Sequence, residues 1–599
     1  MIKIIIIIIF CLCLFVQTYS AQRHFAIQNV QGRKTISLNG DWRIIIDPYE
    51  TGYFDYRLDE DQNGFFKNAK PKSKTDRVEY DFDKSEILRV PGDWNSQKEK
   101  LFLYEGTVWY KKSFNYNKKK NTRLFVYFGA VNYDAIIYFN GEKLGEHVGG
   151  FTPFNFEITG KVKDGENFFV VKADDKRLRD GVPTSNTDWW NYGGITRDVD
   201  LIEVPESFIR DYFIQLGKGS TGDIQGWLQL DGKPFPQDVH IKIPEAGIDE
   251  AVKTDLNGFT SFNIKSKLTL WSPENPKLYN VIISSQTDTV KDKIGFRSIQ
   301  TKGSKIFLNG KEIFLRGISI HEEAPVRSGR AYSKEDAKKL LGWAKELGCN
   351  FVRLAHYPHN ENMIREAERI GILVWSEIPV YWTILWEDQK VFANASNQLM
   401  EMIARDKNRA PVILWSVGNE TPRSNSRTDF MKKLVEMARD ADSTRLITAA
   451  TEIHYISSNT IMIDDPLGKY LDVLGCNEYI GWYDGLPAKA DTINWKILYD
   501  KPLIISEFGG GAKYGLHGDL STIWTEEYQE NLYVHQINML KKIPFLRGMT
   551  PWILMDFRSP KRLLPGIQDF YNRKGLISNK GKKKKAFYVL QSFYNSMKK

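Results

Sequence analysis

The second half of the chain alternates short apolar runs with longer amphipathic stretches, beginning near residue 301. Short apolar runs are typical of strands buried on both faces of a parallel sheet, and the longer stretches are typical of connecting helices. The predicted strands are 313–320, 351–354, 372–375, 412–417, 446–450, 473–476, 503–506 and 548–554. The predicted helices are 334–347, 360–370, 395–408, 429–440, 492–499, 526–541 and 586–596, and only the fifth connection lacks one. This alternation predicts a C-terminal (β/α)8 TIM barrel over 301–599.

The first half of the chain shows strands without helices. Residues 21–205 contain short apolar runs and the turn pair Asn140-Gly141, which favours a hairpin. This pattern predicts an N-terminal jelly-roll β-sandwich that resembles sugar-binding domains. Residues 206–300 again contain only short strands and turn signals, and they predict an immunoglobulin-like β-sandwich. The expected fold class is therefore multidomain, β plus α/β.

Two of the predicted barrel strands end in a glutamate. The apolar run 412–417 leads into Asn419 and Glu420, and the run 503–506 leads into Glu507. Chemistry in such barrels takes place where the strands end, so we expect both carboxyl groups at one barrel mouth. Two carboxyl groups are the minimum equipment for retaining glycoside hydrolysis, in which one protonates the leaving oxygen and the other attacks the anomeric carbon.

Other predicted barrel strands also end in polar or aromatic side chains. They are His321, His356, Glu377, Asn477, Tyr479 and Trp552. Amides, imidazoles and carboxylates bind sugar hydroxyl groups, and tryptophan packs against the apolar face of a sugar ring. The Asn419 amide is placed to bind the substrate 2-hydroxyl. Glu377 lacks such a neighbour, and we predict that it supports the site without reacting.

Composition and charge argue against several other classes of protein. The 599-residue chain has a net charge of +9, and its lysine runs 118–120 and 582–585 are interpreted as solvated loops, so no nucleic-acid partner is predicted. Cys349 and Cys476 lie in or beside predicted barrel strands and are expected to be buried thiols. No metal-ligand spacing is present, and neither a metal nor a cofactor is predicted.

The start of the chain has the features of a secretory signal peptide. Residues 1–20 contain Lys3, the apolar run 4–16, and the small residues Thr18 and Ser20 at the predicted cleavage site. The apolar run is short for a membrane span, and no later stretch is long and apolar enough for one. The expected mature protein is secreted or periplasmic, without a membrane span.

The domain order and the two glutamate motifs together resemble glycoside hydrolase family 2. The motifs are W-S-x-x-N-E at 415–420 and S-E-F-G at 506–509, and Gly-Ile-Thr-Arg at 194–197 matches the N-terminal domain of the family. The resemblance covers essentially the whole mature chain. It implies that Glu420 is the acid/base and Glu507 the nucleophile of a retaining mechanism.

Within the family, the chain most resembles the β-glucuronidases. Asn572 and Lys574 match the Asn-x-Lys motif with which those enzymes hold the sugar carboxylate. The same resemblance places further side chains at the sugar, namely Asp188, His321, Tyr479, Tyr483 and Trp552. The implied activity is exo-acting removal of a terminal β-linked uronic acid from oligosaccharides or glycoconjugates. The partners expected are this carbohydrate substrate and, as one option, further copies of the chain in a homo-oligomer. The loop that holds Asp188 is predicted to leave the jelly roll and close one side of the barrel mouth.

Two departures from the β-glucuronidase pattern leave the substrate open. Gln568 stands where those enzymes carry an arginine before Asn-x-Lys, and only the short segment 381–394 is available where gut glucuronidases often have a long loop. The configuration of the 4-hydroxyl group is therefore open. A β-galacturonidase and a β-galactosidase of the same family are alternatives, and a non-catalytic carbohydrate-binding protein on the same scaffold is a third.

Overall fold

The computed structural model describes residues 25–61, 73–75 and 80–598. The predicted signal segment 1–20 lies outside the described residues. Along the described chain, two β-sandwiches precede a barrel of alternating strands and helices, which is the predicted fold class.

The N-terminal domain is a sandwich of two antiparallel sheets. The strands of this domain, numbered β1 to β12, are Thr35–Ser37, Gly40–Asp47, Glu86–Val90, Thr107–Tyr116, Thr122–Phe128, Val131–Asn132, Asp134–Phe139, Glu142–Val148, Phe154–Glu157, Gly165–Asp174, Gly194–Ile195 and Val199–Pro205. The strand orders of the two sheets are β1-β12-β5-β9 and β3-β2-β4-β10-β7-β8, and β6 pairs with β11 beside them. Asn140 and Gly141 form the predicted turn between β7 and β8, both with positive φ.

The second domain is a smaller sandwich that packs against the barrel. Its strands, numbered β13 to β19, are Phe208–Leu216, Asp223–Asp231, Asp238–Ile243, Ile248–Lys253, Phe259–Lys265, Tyr279–Ser284 and Thr289–Ile294. They form two sheets with the orders β13-β14-β17 and β16-β15-β18-β19. Arg297 donates hydrogen bonds to the carbonyls of Ala410, Val412 and Thr444, where barrel strands begin. The second domain therefore lies at the end of the barrel opposite the mouth.

The C-terminal domain is a closed parallel barrel, preceded by the small antiparallel sheet Ile299–Lys302, Lys305–Leu308 and Lys311–Glu312 (β20 to β22). In spatial order its strands are Leu315–Arg316, Leu546–Met549, Leu503–Glu507, Leu474–Asn477, Leu446–Glu452, Val412–Asn419, Leu373–Glu377, Phe351–Leu354 and Ser319–Ile320. The first and last members are consecutive pieces of one predicted strand, 313–320. Because these two pieces pair with different neighbours, the sheet closes on itself as an eight-stranded barrel.

The connecting helices follow the predicted pattern with shifted ends. The α-helices are Trp94–Gln97 in the first domain and Lys334–Leu347, Glu361–Ile370, Gln389–Asp406, Asn425–Ala441, Glu526–Leu540 and Lys585–Ser596 in the barrel, numbered α1 to α7. Helix α2 shows how sequence sets its ends. Ser333 and Asp336 form a capping box at its start, and Gly348 adopts a left-handed conformation at its end.

The predicted helix at 492–499 is wrong. Residues Asn494–Ile497 form a strand that pairs with Thr460–Ile463, which in turn pairs with His454–Ser457. Trp495 and Ile497 alternate with exposed neighbours and pack against the barrel core. This two-residue alternation is typical of a strand, and pairing with Thr460–Ile463 satisfies backbone hydrogen-bonding groups at the edge of that strand. In so short a segment the pairing outweighs the helical pattern.

The interpretation of 582–585 as a solvated loop is also wrong at one position. Lys584 is fully buried, and its ammonium group lies 2.7 Å from Asp556 Oδ1. Burial of a lysine requires such a partner, which the sequence did not reveal.

The prediction for Cys349 and Cys476 is confirmed, since both are buried free thiols. No helix in the described ranges combines the length and apolar character needed to cross a membrane.

Candidate active site

The carboxyl ends of the barrel strands bring most of the predicted residues together at one mouth. Glu377, Asn419 and Glu507 are the last residues of their strands. Glu420 follows Asn419 with a φ of 46°, and its backbone N–H donates to the carbonyl of Ala450 on the next strand. This left-handed turn ends the strand and leaves the Glu420 side chain half-buried beside the mouth.

Glu507 is a buried carboxylate held at both oxygens. Arg353 Nη1 donates to its Oε1 at 2.7 Å, and the hydroxyl of Tyr479 donates to its Oε2 at 2.7 Å. Burial raises the pKa of Glu507, the Arg353 guanidinium opposes this increase, and the nearby Glu420 adds to it. The two hydrogen bonds fix the carboxylate in one orientation, as a nucleophile requires.

Asn419 keeps one amide hydrogen-bond donor free. Its Oδ1 accepts from Arg353 Nη2 at 2.6 Å and from Asn477 Nδ2 at 3.1 Å, which fixes the orientation of the amide. Its Nδ2 is buried and has no partner among the described residues. A buried unsatisfied donor costs free energy unless a ligand satisfies it, so this group is placed to bind a substrate hydroxyl.

Glu377, for which a supporting role is predicted, lies among four hydrogen-bond donors. It is fully buried, and it accepts from Arg353, His356, Trp375 and Ser416. Burial disfavours its charge, but Arg353 and His356 outweigh burial and lower the pKa of Glu377. With its oxygens occupied by these donors, Glu377 orients Arg353 and His356.

Aromatic and imidazole rings form one wall of the site. His356 stacks on Trp552 with ring centroids 4.8 Å apart, and His321 meets the same indole edge-on at 5.1 Å. Burial lowers the pKa of His321 well below its ordinary value, so the ring is neutral, and its Nε2 is buried without a partner in the described chain. Trp189 from the N-terminal domain lies 5.7 Å from the His356 ring.

The loop from the N-terminal domain reaches the barrel, as predicted. The Asp188 carboxylate accepts from Ser559 Oγ at 2.6 Å and from Asn572 Nδ2 at 3.2 Å. Arg562 pairs with the same carboxylate through two nitrogens. Two residues further along the loop, Trp190 N–H donates to the carbonyl of Arg558. The first domain therefore forms one side of the mouth.

Lys574 is a buried cation that makes no ion pair within the described part of the chain. Its ammonium group donates to the hydroxyl of Tyr483 at 2.7 Å and lies 5.3 Å from the Tyr479 ring and 5.9 Å from the Trp482 ring. The residue is 4% exposed, and among the described residues it makes no ion pair. The Asn572 side-chain oxygen accepts from the Lys574 backbone N–H, and its Nδ2 donates to Asp188.

Sequence reasoning missed four residues of this site, namely Trp189, Arg353, Trp382 and Arg562. Arg353 lies inside a strand, where the sequence gives no sign that it joins Glu377, Asn419 and Glu507. Arg562 lies in the connection after the eighth strand and reaches Asp188 and Tyr483. Gln568, by contrast, accepts a hydrogen bond at its side-chain oxygen from the nearby Leu564 backbone N–H. Arg562, and not the residue at position 568, is the arginine that pairs with Asp188.

Arg562→Gln should lower the melting temperature at neutral pH. Asp188 is buried, yet Arg562 and Lys574 lower its pKa. A carboxyl group whose pKa is lowered on folding stabilises the folded state at pH values above the ordinary pKa of aspartate. This stabilisation is lost as the pH falls through the pKa of the folded state. The loss at pH 7 should correspond to about 1.5–3 kcal/mol. The difference from wild type should shrink near pH 4 and below; a difference independent of pH would contradict this account.

No group of histidine, cysteine, aspartate or glutamate side chains in the described ranges is arranged to hold a metal ion. The groups that the structure places at the mouth are the carboxyl groups, amides and cations just described. A barrel with two strand-end carboxyl groups, a free amide donor and an aromatic wall has the equipment of a glycosidase.

Comparison with known proteins assigns this class to a family. Models of glycosyl hydrolases family 2 match the sugar binding domain at 35–205, a second domain at 208–297 and the TIM barrel domain at 299–599. The chain belongs to glycoside hydrolase family 2, and it is a glycosidase.

Several relatives are named as β-glucuronidases. The β-glucuronidase of Rattus norvegicus is 28% identical over 569 residues, covering 85% of this chain and 84% of the relative. A putative β-glucuronidase of Formosa agariphila is 27% identical over 573 residues, covering 85% and 67%. The solved β-glucuronidase of an uncultured Clostridium sp. superposes with a TM-score of 0.80 at 25% identity, covering 96% and 99%.

Proposed function

We propose that this protein is a retaining, exo-acting β-glucuronidase that removes a terminal β-linked uronic acid from a carbohydrate. The observation that carries the proposal is Lys574, a buried cation without an acidic partner in the described chain. A uronate carboxylate would supply the missing counter-charge. The names of the relatives point in the same direction.

The neighbours of Lys574 fit a carboxylate better than a neutral hydroxymethyl group. The Tyr483 hydroxyl lies beside the ammonium group, and Arg562 Nη1 lies 3.5 Å from that hydroxyl. Hydrogen bonds to a charged group are stronger than those between neutral groups. A neutral hexose would leave the lysine desolvated and unpaired, so the site should disfavour it.

The proposed mechanism is a double displacement. In the first step Glu507 attacks the anomeric carbon while Glu420 gives a proton to the departing oxygen. The free amide of Asn419 donates to the 2-hydroxyl group, and Arg353 and Tyr479 hold Glu507 in line. In the second step Glu420 takes a proton from water, which attacks the same carbon and releases the sugar with its original configuration.

Lys574→Ala should lower kcat/KM for 4-nitrophenyl β-glucuronide by about tenfold to a hundredfold, because one charge-assisted hydrogen bond is lost. Hydrolysis of the matching neutral β-glucoside should change little. Lys580→Ala is the matched control, since Lys580 is an exposed lysine on the loop that follows. Steady-state kinetics of the three proteins on both substrates measure the effect.

The same substrates decide between the alternatives. A β-galacturonide hydrolysed faster than the β-glucuronide would assign the other 4-hydroxyl configuration. The uronidase proposal fails if wild type prefers the neutral galactoside, or if Lys574→Ala leaves uronide hydrolysis unchanged. In that case a β-galactosidase of the same family takes its place.

We further propose that residues 1–20 direct the protein to secretion or to the periplasm and are then removed. The composition of this segment supports the proposal. N-terminal sequencing of protein recovered from the producing cell's exterior or periplasm should begin near Ala21. Recovery of the full-length chain from the cytoplasm would contradict it.

A further inference from the structure

Trp382 contacts the predicted acid/base directly. Its indole Nε1 donates to Glu420 Oε2 at 2.8 Å. No other side chain in the described residues makes a hydrogen bond to the Glu420 carboxyl group. Trp382 follows the third barrel strand, and neither the strand-end motifs nor the resemblance to the family pointed to it.

The position of Trp382 is fixed by three further contacts. The Trp382 backbone N–H donates to the Asn419 carbonyl at 3.0 Å, so the segment runs alongside the end of the fourth strand. The residue has a φ of 54°, a left-handed conformation that is unfavourable for a bulky side chain. The ring of Tyr381 lies 4.4 Å from the indole, and the Lys561 ammonium group lies 4.4 Å from it.

An indole N–H is only a donor, so the Glu420 oxygen that it contacts must accept. In a protonated carboxyl group the carbonyl oxygen is a better acceptor than the hydroxyl oxygen, so the contact with Oε2 favours the proton on Oε1. We propose that Trp382 is a positioning residue for proton transfer, which holds Oε2 and presents the proton on Oε1 to the glycosidic oxygen. The inference rests on the proposed acid/base role of Glu420.

The contribution of this hydrogen bond should grow during the reaction. As Oε1 gives its proton to the leaving oxygen, the carboxyl group becomes a carboxylate, and its bond with Trp382 becomes charge-assisted. An interaction that strengthens in the transition state lowers the barrier to the chemical step. In the second step Oε1 takes a proton from the attacking water, and Oε2 remains bonded to Trp382.

Other charged and titratable groups also face Glu420. Glu507 lies across the mouth, Glu452 lies on the neighbouring strand, and Tyr381 and Tyr479 lie close enough to interact electrostatically with it. The Lys561 ammonium group lies over the Trp382 ring, 4.4 Å from its centroid. Substituting Trp382 leaves these groups in place, so a resulting shift in pH dependence reports on the lost N–H donor.

Trp382→Phe should slow substrates with poor leaving groups, such as alkyl glucuronides, by about tenfold to a hundredfold in kcat/KM. The effect on 2,4-dinitrophenyl glucuronide should be small, because that leaving group needs no protonation. The N–H bond favours the ionised carboxylate, so its loss favours the protonated acid. The basic limb of the kcat/KM pH profile should therefore move to higher pH.

A second variant separates the hydrogen bond from packing. Replacing Trp382 with 3-benzothienylalanine keeps the shape of the ring system and exchanges its N–H for sulfur. It should reproduce both the leaving-group dependence and the shift of the basic limb. Trp386→Phe is the control in the same segment, since Trp386 packs edge-on against Phe430, and it should move neither.

The proposal is overturned if both Trp382 variants lower kcat/KM equally for all substrates, or if the basic limb of the kcat/KM pH profile does not move. Either result would assign Trp382 a role in packing alone. Glu420→Gln distinguishes this from a failure of the proposed function. If Glu420→Gln itself shows no dependence on the leaving group, the acid/base assignment is wrong, and the role of Trp382 is wrong with it.

Discussion

Glu507→Ala should reduce kcat for all glycosides by about 10⁴-fold or more, because no covalent intermediate can then form. The loss should not depend on the leaving group, since attack on the anomeric carbon is needed for every substrate. The side chain lies between Arg353 and Tyr479, so its removal also leaves a space beside the anomeric carbon. A small anion can enter that space.

Azide therefore provides the decisive measurement for Glu507. It should restore part of the activity of Glu507→Ala and give a glycosyl azide of inverted configuration, identified by NMR. Glu377→Gln is a useful comparison, because Glu377 orients Arg353 and His356 without facing the substrate. Azide should not restore its activity. A glycosyl azide of retained configuration from Glu507→Ala would exclude Glu507 as the nucleophile.

Glu420→Ala should lower kcat/KM by about 10²–10⁴-fold for substrates with poor leaving groups. With 2,4-dinitrophenyl glucuronide, kcat/KM should remain close to wild type, because that leaving group departs without a proton. The second step still needs a base to activate water, so kcat should fall and the glycosyl-enzyme should accumulate. A burst of dinitrophenolate in stopped-flow absorbance, and the mass of the intact protein, measure this accumulation.

The configuration of the azide product again identifies the role. Azide needs no general base, so it should accelerate breakdown of the intermediate in Glu420→Ala and give a product of retained configuration. Thr421→Ala is a matched control one residue away, with a buried side chain. It should show no burst. An inverted azide product from Glu420→Ala would reverse the two assignments.

Much of the barrel could be predicted because its strands carry their own signal. Buried parallel strands are continuous apolar runs, and Asn419, Glu377 and Glu507 end theirs, so the strand ends were visible in the sequence. The segment 492–499 shows the limit of this reasoning. Its conformation depends on pairing with Thr460–Ile463, a partner more than 30 residues away in the chain, which local periodicity does not reveal.

The candidate site was predictable only where a residue stands next to a strand end or in a motif. Arg353 points from within a strand towards three partners on three other strands, and no local pattern marks that direction. Arg562 and Trp382 lie in connections whose paths are set by packing. Arg562 reaches Asp188, a residue 374 positions earlier in the chain. Contacts of such separation follow from the tertiary fold alone.

The loop that carries Asp188 and Trp189 ties the catalytic barrel to the first domain. Tyr192 donates to Glu323, and Arg197 donates to Glu322 and to the carbonyl of Pro358, so this connection is buried and specific. The barrel is therefore not a self-sufficient module that evolution or an engineer can transplant alone. Exchange of the N-terminal domain between relatives would replace part of the substrate-binding wall, and with it the preference for one sugar over another. In this architecture a domain without a catalytic carboxylate is a place where new specificity can arise.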